Sequence, residues 1–144
     1  MAAEVQIVEL KEFDESYVSL LKELLLQLSS SPVEFSSHTL KELVDSDNTH
    51  LFIALCDGKL CGMLTLCHYM APTGRKLWIE DVVVDSSLRG KSIGRSLVQH
   101  AIGRAKEIGG TLMLTSKPAR VAANALYRSS GFEQKETNVY RMKV

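Results

Sequence analysis

Residues 77–84 form a strand-like stretch that ends in the unbroken apolar run Val82-Val83-Val84. A strand with no polar face must be covered on both sides. It leads, through the short loop Asp85–Ser92, into a helical pattern. That pattern puts Ile93, Leu97, Ala101, Ala105 and Ile108 on one stripe and stops at Gly109-Gly110. A doubly covered strand feeding an amphipathic helix calls for a sheet with helices packed on its faces.

The rest of the chain fits such a sheet. Val5–Leu10 reads as a first strand. Asp14 opens a helix whose apolar positions Tyr17, Leu20, Leu21, Leu24, Leu25 and Leu28 recur at helical spacing, and Ser29–Pro32 breaks it. A shorter helix runs from Ser37 to Asp45, with Ser36 or Ser37 as its cap. Leu51–Leu55 and Leu60–Leu66 flank Asp57-Gly58-Lys59, a strong hairpin signal. Ala71–Gly74 is another turn, and Leu77–Val84 follows as a strand. Thr111–Thr115 is a short strand. Pro118 suits the first position of a helix continuing over Ala119–Ser130, ended by Gly131, and Thr137–Met142 is a candidate last strand. The order β-α-α-β-β-β-α-β-α-β alternates late and meanders in the middle, so the sheet is mixed.

A length of 144 residues fits one domain, taken as 1–144. No apolar run reaches the roughly 18–20 residues of a membrane span, and the N-terminus has no export signal. Three Cys then fit a reducing cytosol. The formal charge is zero, but residues 1–47 hold ten acids against three bases, while residues 86–144 hold three acids against eleven bases. Such asymmetry points to an anion on the C-terminal side. The basic half lacks stacking aromatics or a helix-turn-helix pattern, so no nucleic-acid partner is expected.

The loop entering the helix at Ile93 is where an anion would bind. Backbone N–H groups at a helix start lack partners and point outward, and the helix dipole favours negative charge. Gly90 and Gly94 permit close approach, and Arg89, Lys91 and Arg95 add charge, so a pyrophosphate fits. Gly90-Lys91-Ser92 looks like the end of a phosphate-binding P-loop, but Asp85 stands where that motif begins with Gly. The dinucleotide fingerprint is also absent.

Arg89-x-x-Ser92-x-Gly94 resembles the coenzyme A motif of the GNAT superfamily of N-acetyltransferases, Gln/Arg-x-x-Gly-x-Gly/Ala, with Ser92 in place of the middle Gly. Residues 120–132 are similar to a second signature of that family, Asn-x-x-Ala-x-x-Leu-Tyr-x-x-x-Gly-Phe. Ala123, Leu126, Tyr127, Gly131 and Phe132 match in register. Arg120 stands where the family has Asn, and Asn124 is placed to replace it. The resemblance implies an α/β (α+β) fold with a mixed, mostly antiparallel sheet of six to seven strands and about four helices. It implies acetyl transfer from acetyl-CoA to a primary amine, with coenzyme A held by Val82, Val83, Val84, Arg89, Gly90, Lys91, Ser92, Ile93, Gly94, Arg95, Asn124 and Tyr127. Tyr127 would be the general acid toward the departing thiolate. A non-catalytic acyl-CoA-binding regulator on the same fold is the alternative, and a homodimer is open.

The attacking amine must be neutral, which requires a base. Glu80 is favoured over Asp81, because neighbours on a strand face opposite sides unless a bulge intervenes. With that bulge, a backbone N–H near Val82 or Val83 could meet the oxyanion. Phe35, His68, Tyr69, Trp78 and Asp81 are candidate acceptor residues on loops and strand ends, and the acidic first half suits a cationic small-molecule or peptide amine. Cys67 and His68 are adjacent on a strand and diverge, which excludes a direct nucleophile–base pair. Cys56 and Cys61 could be cross-strand neighbours, no zinc site is expected, and His38, His50 and His100 have surface roles by default.

Overall fold

The computed structural model describes residues 4–29, 33–88 and 90–144. In chain order the elements are β1 (Val5–Glu9), α1 (Ser16–Leu28), α2 (Ser37–Asp45), β2 (Thr49–Cys56), β3 (Lys59–Ala71), β4 (Gly74–Val84), α3 (Ile93–Ile108), β5 (Thr111–Met113) and α4 (Val121–Ser129). The strands form one sheet in the order β1-β2-β3-β4-β5. The first three pairings are antiparallel and β4–β5 is parallel.

Local chemistry sets these boundaries. Asp57 and Gly58 both have positive φ (50° and 81°), the geometry an Asp-Gly hairpin turn requires. Ser36 caps α2 by accepting the Thr39 N–H at 3.3 Å, and Thr39 Oγ1 accepts the Ser36 N–H in return. Asp14 accepts the backbone N–H and the hydroxyl of Ser16 at the start of α1. α4 begins at Val121 rather than near Ala119, because Pro118 sits in a turn closed by the Arg120 N–H on the Lys117 carbonyl (3.0 Å).

Two cores lie on opposite faces of the sheet. On one, α3 and α4 cover Phe52, Ala54, Leu64, Leu66, Leu77 and Ile79, with Ile93, Leu97, Val98 and Ala101 from α3 buried against them. On the other, Leu21, Leu24 and Leu25 of α1 and Leu40 of α2 cover Leu51, Ile53, Met63 and Val83. Each fully buried Leu or Ile contributes about 1.5–3 kcal/mol.

The sheet has five strands, not six to seven. Thr137–Met142 forms no strand: Val139, Tyr140 and Met142 are 71%, 88% and 83% exposed. β5 pairs through only three residues, too short a ladder to recruit another strand.

His50 is not a surface residue without partners. Its Nδ1 lies 2.9 Å from Glu9 Oε1, and its Nε2 lies 3.3 Å from Nε2 of His68 on the neighbouring strand. Arg104 of α3 also reaches Glu9 (3.3 Å) and covers the Phe52 ring, which stacks with His50 and meets His100 edge-on. Lys11 stands 4.0 Å from Glu9. The Nε2 atoms of His50 and His68 face each other, so one ring must carry the proton that the other accepts. Burial first, then the charges of His50 and Arg75, lower the His68 pKa. The unfolded chain therefore takes up that proton first as pH falls, so stability is full above pH ~6.5 and declines below it. In His68→Gln, the melting temperature should lose this dependence between pH 7 and 5. An unchanged slope would exclude the pair as its source.

Candidate active site

β3 and β4 lose register between Met63 and Thr65: Met63 pairs Val83 while Thr65 pairs Glu80, so two β4 residues stand opposite Leu64. This is the expected bulge, and Asp81 occupies it with φ +51°. Beyond it, Val82 and Val84 pack into the α3 core and Val83 into the α1 core. Ile79 lies in the α3 core, so Glu80 faces the α1–α2 side, as Trp78 does.

β4 and β5 pair only from Lys76–Thr111 to Trp78–Met113. Beyond that point β4 has β3 on one edge and no strand on the other, so its backbone from Ile79 to Val84 borders an open wedge. α3 begins where β4 ends. Its first helical bond runs from the Ser96 N–H to the Ser92 carbonyl (3.0 Å), which leaves the N–H groups of Ile93, Gly94 and Arg95 without helical acceptors, and among the described residues no side chain caps them. A Cβ on Gly94 would meet Val84 and Leu126 at 3.7 and 3.6 Å, ordinary contacts. Internal packing therefore does not demand glycine there, but the approach of an outside group would. The same contacts place the start of α3 between the end of β4 and α4.

The loop is pinned by its neighbours. Asp85 accepts the Ser87 N–H (3.0 Å) and hydroxyl (2.9 Å), which hold its carboxyl below the usual range. Its own N–H donates to the Cys61 carbonyl at 2.8 Å. Gln27 of α1 accepts the Ser86 N–H at 2.8 Å. Gly90 and Lys91 are exposed beside the helix start, and Arg95 donates to Ser129 Oγ of α4 at 3.1 Å. Arg89 lies outside the described residues.

Ser92 adopts φ +62°, a left-handed conformation that costs a non-glycine residue about 1–2 kcal/mol, and its hydroxyl forms no cap. Ser92→Gly should therefore raise stability by about 1 kcal/mol in urea unfolding, with coenzyme A affinity retained. Lost affinity would mean that the hydroxyl itself contacts phosphate.

Tyr127 is 6% exposed and belongs to the α3 core, with its ring edge-on to Phe132 at 6.1 Å. Burial raises its pKa, opposed by the positive charge of Arg120. The Asn124 side-chain amide donates to the Lys117 carbonyl at 2.9 Å, which leaves its second N–H and its Oδ1 for another partner. Glu80 is exposed, yet partial desolvation of its carboxyl, then the Asp81 charge, raises its pKa.

The candidate acceptor residues separate by face. Trp78 donates from Nε1 to the Tyr69 hydroxyl (3.3 Å), and Phe35 packs into the α1 core on that same side of the sheet. His68 points to the α3 side, into the pair with His50, and so does not join them. Cys67 lies against the Trp78 carbonyl, and its pKa is raised by burial and then by Glu80, which makes it a poor nucleophile. Cys56 and Cys61 are buried free thiols. Two surface hollows, along residues 10–15 and around Glu9, Ser46, Thr49 and His50, include no residue of β4, the loop or α4. Among the described residues, no helix is long and apolar enough to cross a membrane.

Comparison with known proteins bears on this wedge. Residues 17–132 match the acetyltransferase (GNAT) family. A streptothricin acetyltransferase of Streptomyces lavendulae is 35% identical over 89 residues, 61% of this chain and 46% of that protein. The chain thus spans about half the length of that relative. The crystal structure of a transcriptional regulator from Bacillus halodurans superposes with a TM-score of 0.81 at 27% identity, covering 97% of this chain and 100% of that one. An aminoglycoside N-acetyltransferase in complex with CoA superposes with a TM-score of 0.79 at 16% identity, covering 99% and 97%, a likeness of fold alone.

Proposed function

The chain belongs to the GNAT acetyltransferase family, and we propose that it transfers an acetyl group from acetyl-CoA directly to a primary amine. The observation that carries the reading is the wedge between β4 and β5, closed at one end by the uncapped start of α3 and flanked by the buried Tyr127. The N–H groups of Ile93, Gly94 and Arg95, with Gly90, Lys91 and Ser92 beside them, would hold the pyrophosphate. Val82, Val83 and Val84 would supply backbone partners along the wedge, and the cofactor brings the thioester.

Glu80 takes the proton from the ammonium, directly or through water, and the neutral nitrogen attacks the thioester carbonyl. A backbone N–H beside the bulge at Asp81 meets the oxyanion. Acetyl-CoA would supply the electrophilic carbonyl: as the C–N bond forms the nitrogen would release its second proton to water, the C–S bond would break, and Tyr127 would give its proton to the leaving sulfur and regain one from water. The raised pKa of Glu80 gives a sign to the pH dependence: the acid limb of kcat/KM should lie above the ordinary carboxylate range, and Glu80→Gln should remove it. A limb that persists in that variant would assign the base elsewhere.

For the acceptor, Phe35, Tyr69 and Trp78 line the α1–α2 side, the side of the acid-rich N-terminal part, which favours a cationic amine. The relative named for streptothricin acetylation and the aminoglycoside N-acetyltransferase of like fold support a small-molecule acceptor. Thiol release from acetyl-CoA over a panel of amines tests this. Fastest turnover is expected with polycations, and best turnover with an anionic amine would overturn the charge argument. A second reading, an acyl-CoA-binding regulator without chemistry, draws on the likeness to the Bacillus halodurans transcriptional regulator.

A further inference from the structure

Trp78 is the chain's only tryptophan, yet it belongs to neither core. It is half-buried on β4, on the α1–α2 face of the sheet, with Glu80 two residues on along the same face. Two strand residues span about 7 Å. The indole N–H donates to the hydroxyl of Tyr69 (3.3 Å), a diagonal neighbour on β3 that is 50% exposed and also outside both cores. That bond uses the indole's one donor and fixes the two rings against each other, while the Tyr69 hydroxyl keeps its own proton to donate. Among the described residues no other aromatic ring packs on either of them. Lys76 lies two residues before Trp78 on the same face, paired in register with Tyr69, and no ion pair engages it among the described residues. Along β4 this face therefore presents a carboxylate, a pair of rings and a cation. Two large aromatic side chains left outside the core beside the proposed base are an arrangement that packing alone does not need.

We propose that Trp78 and Tyr69 form a platform that selects the acceptor: the preferred amine carries a ring, set about two strand residues from the reacting nitrogen, and the apolar face of that ring lies on the indole. This inference rests on the acetyl-transfer reading above and narrows its cationic acceptors to ring-bearing ones. An amine anchored at Glu80 has β4 on both sides of it. Toward Val84 and α3 runs the wedge that would hold the cofactor, which leaves the direction of Trp78 for the body of the acceptor. A ring there gains contact with rings that are already fixed by their own hydrogen bond, so little ordering is lost on binding. A second ammonium at the same distance would meet Lys76 as a like charge, which counts against a linear diamine.

The test is a length series of ring amines, from benzylamine through phenethylamine and phenylpropylamine to phenylbutylamine, set against linear diamines of matched reach, with thiol release as the readout. In wild type, kcat/KM should peak at phenylpropylamine or phenylbutylamine, about fivefold above the matched diamine. In Trp78→Leu that peak should flatten, with KM for the best ring amine raised about fivefold and the loss lying in KM rather than kcat. Tyr69→Phe keeps the ring but drops the hydroxyl that holds the indole, and should raise the same KM by a smaller factor. A second measurement needs neither turnover nor a variant. Because Trp78 is the only indole, its fluorescence in wild type saturated with coenzyme A should change saturably with phenylpropylamine and stay unchanged with the diamine. A flat length series, a linear diamine that outruns every ring amine, or an indole emission that phenylpropylamine leaves unchanged overturns the inference. Absent amine-dependent thiol release with every amine would instead sink the acetyl-transfer reading.

Discussion

Tyr127→Phe should cut kcat by about 10²–10³-fold while leaving the dissociation constant for coenzyme A near that of wild type. The ring stays, so its place in the α3 core and its edge-on contact with Phe132 are kept. What goes is one hydroxyl, and with it the only proton Tyr127 can donate. Without that donor the sulfur must leave as a bare thiolate or find a water in an apolar surround. Steady-state turnover with calorimetric coenzyme A binding separates the outcomes. Parallel loss of turnover and affinity would make Tyr127 a structural residue. Unchanged turnover with intact affinity would give the acid role to another group. Affinity with no turnover in wild type would point to the regulator reading.

Gly110→Ala should be the most damaging small substitution outside the wedge. Gly110 has φ +132°, and a Cβ there would lie 2.6 Å from the Arg75 carbonyl oxygen and 2.8 Å from Leu77 Cδ1. The first obstacle is backbone and cannot swing away, and the conformation is one that L side chains rarely adopt. A loss of about 3 kcal/mol is expected, which for a chain of this length lowers the melting temperature by roughly 10 °C. Gly103→Ala is the control: it lies in α3 with nothing within 4 Å of an added methyl, so it should gain up to about 1 kcal/mol. Because Gly110 precedes Thr111, whose pairing with Lys76 sets the short β4–β5 contact, the alanine variant should also weaken coenzyme A binding. Equal melting temperatures for the two alanine variants would show that the turn after α3 can shift at little cost.

The elements that could be read from sequence are those with local determinants. α2 and α3 span the expected residues because Ser36 caps one and the Gly109-Gly110 pair stops the other. The Asp57-Gly58 hairpin is set by two residues that accept positive φ. The bulge at Asp81 also agrees with expectation, which came through the family resemblance rather than through periodicity. What could not be read depends on contacts between distant segments. His50 and His68 look unrelated until β2 and β3 are paired, after which they are diagonal neighbours on one face. That same register sends His68 away from Trp78 and Tyr69. Thr137–Met142 has strand-forming residues, but a strand needs a ladder, and β5 offers three residues. Ser92 reads as a substitution for the middle Gly of the motif, and only the structure shows the positive φ that suits glycine there.

The central claim is that the acetyl group passes straight from the thioester to an amine nitrogen. A single-turnover reaction with acetyl-labelled acetyl-CoA, excess enzyme and the best amine from the panel, quenched through the time course, tests it most directly. The expected result is label moving from coenzyme A to the amine with no labelled protein at any time, and with free thiol formed in step with the acetylated amine. Label that appears first on the protein, at Cys67 or elsewhere, or thiol released with no acetylated amine, would contradict it.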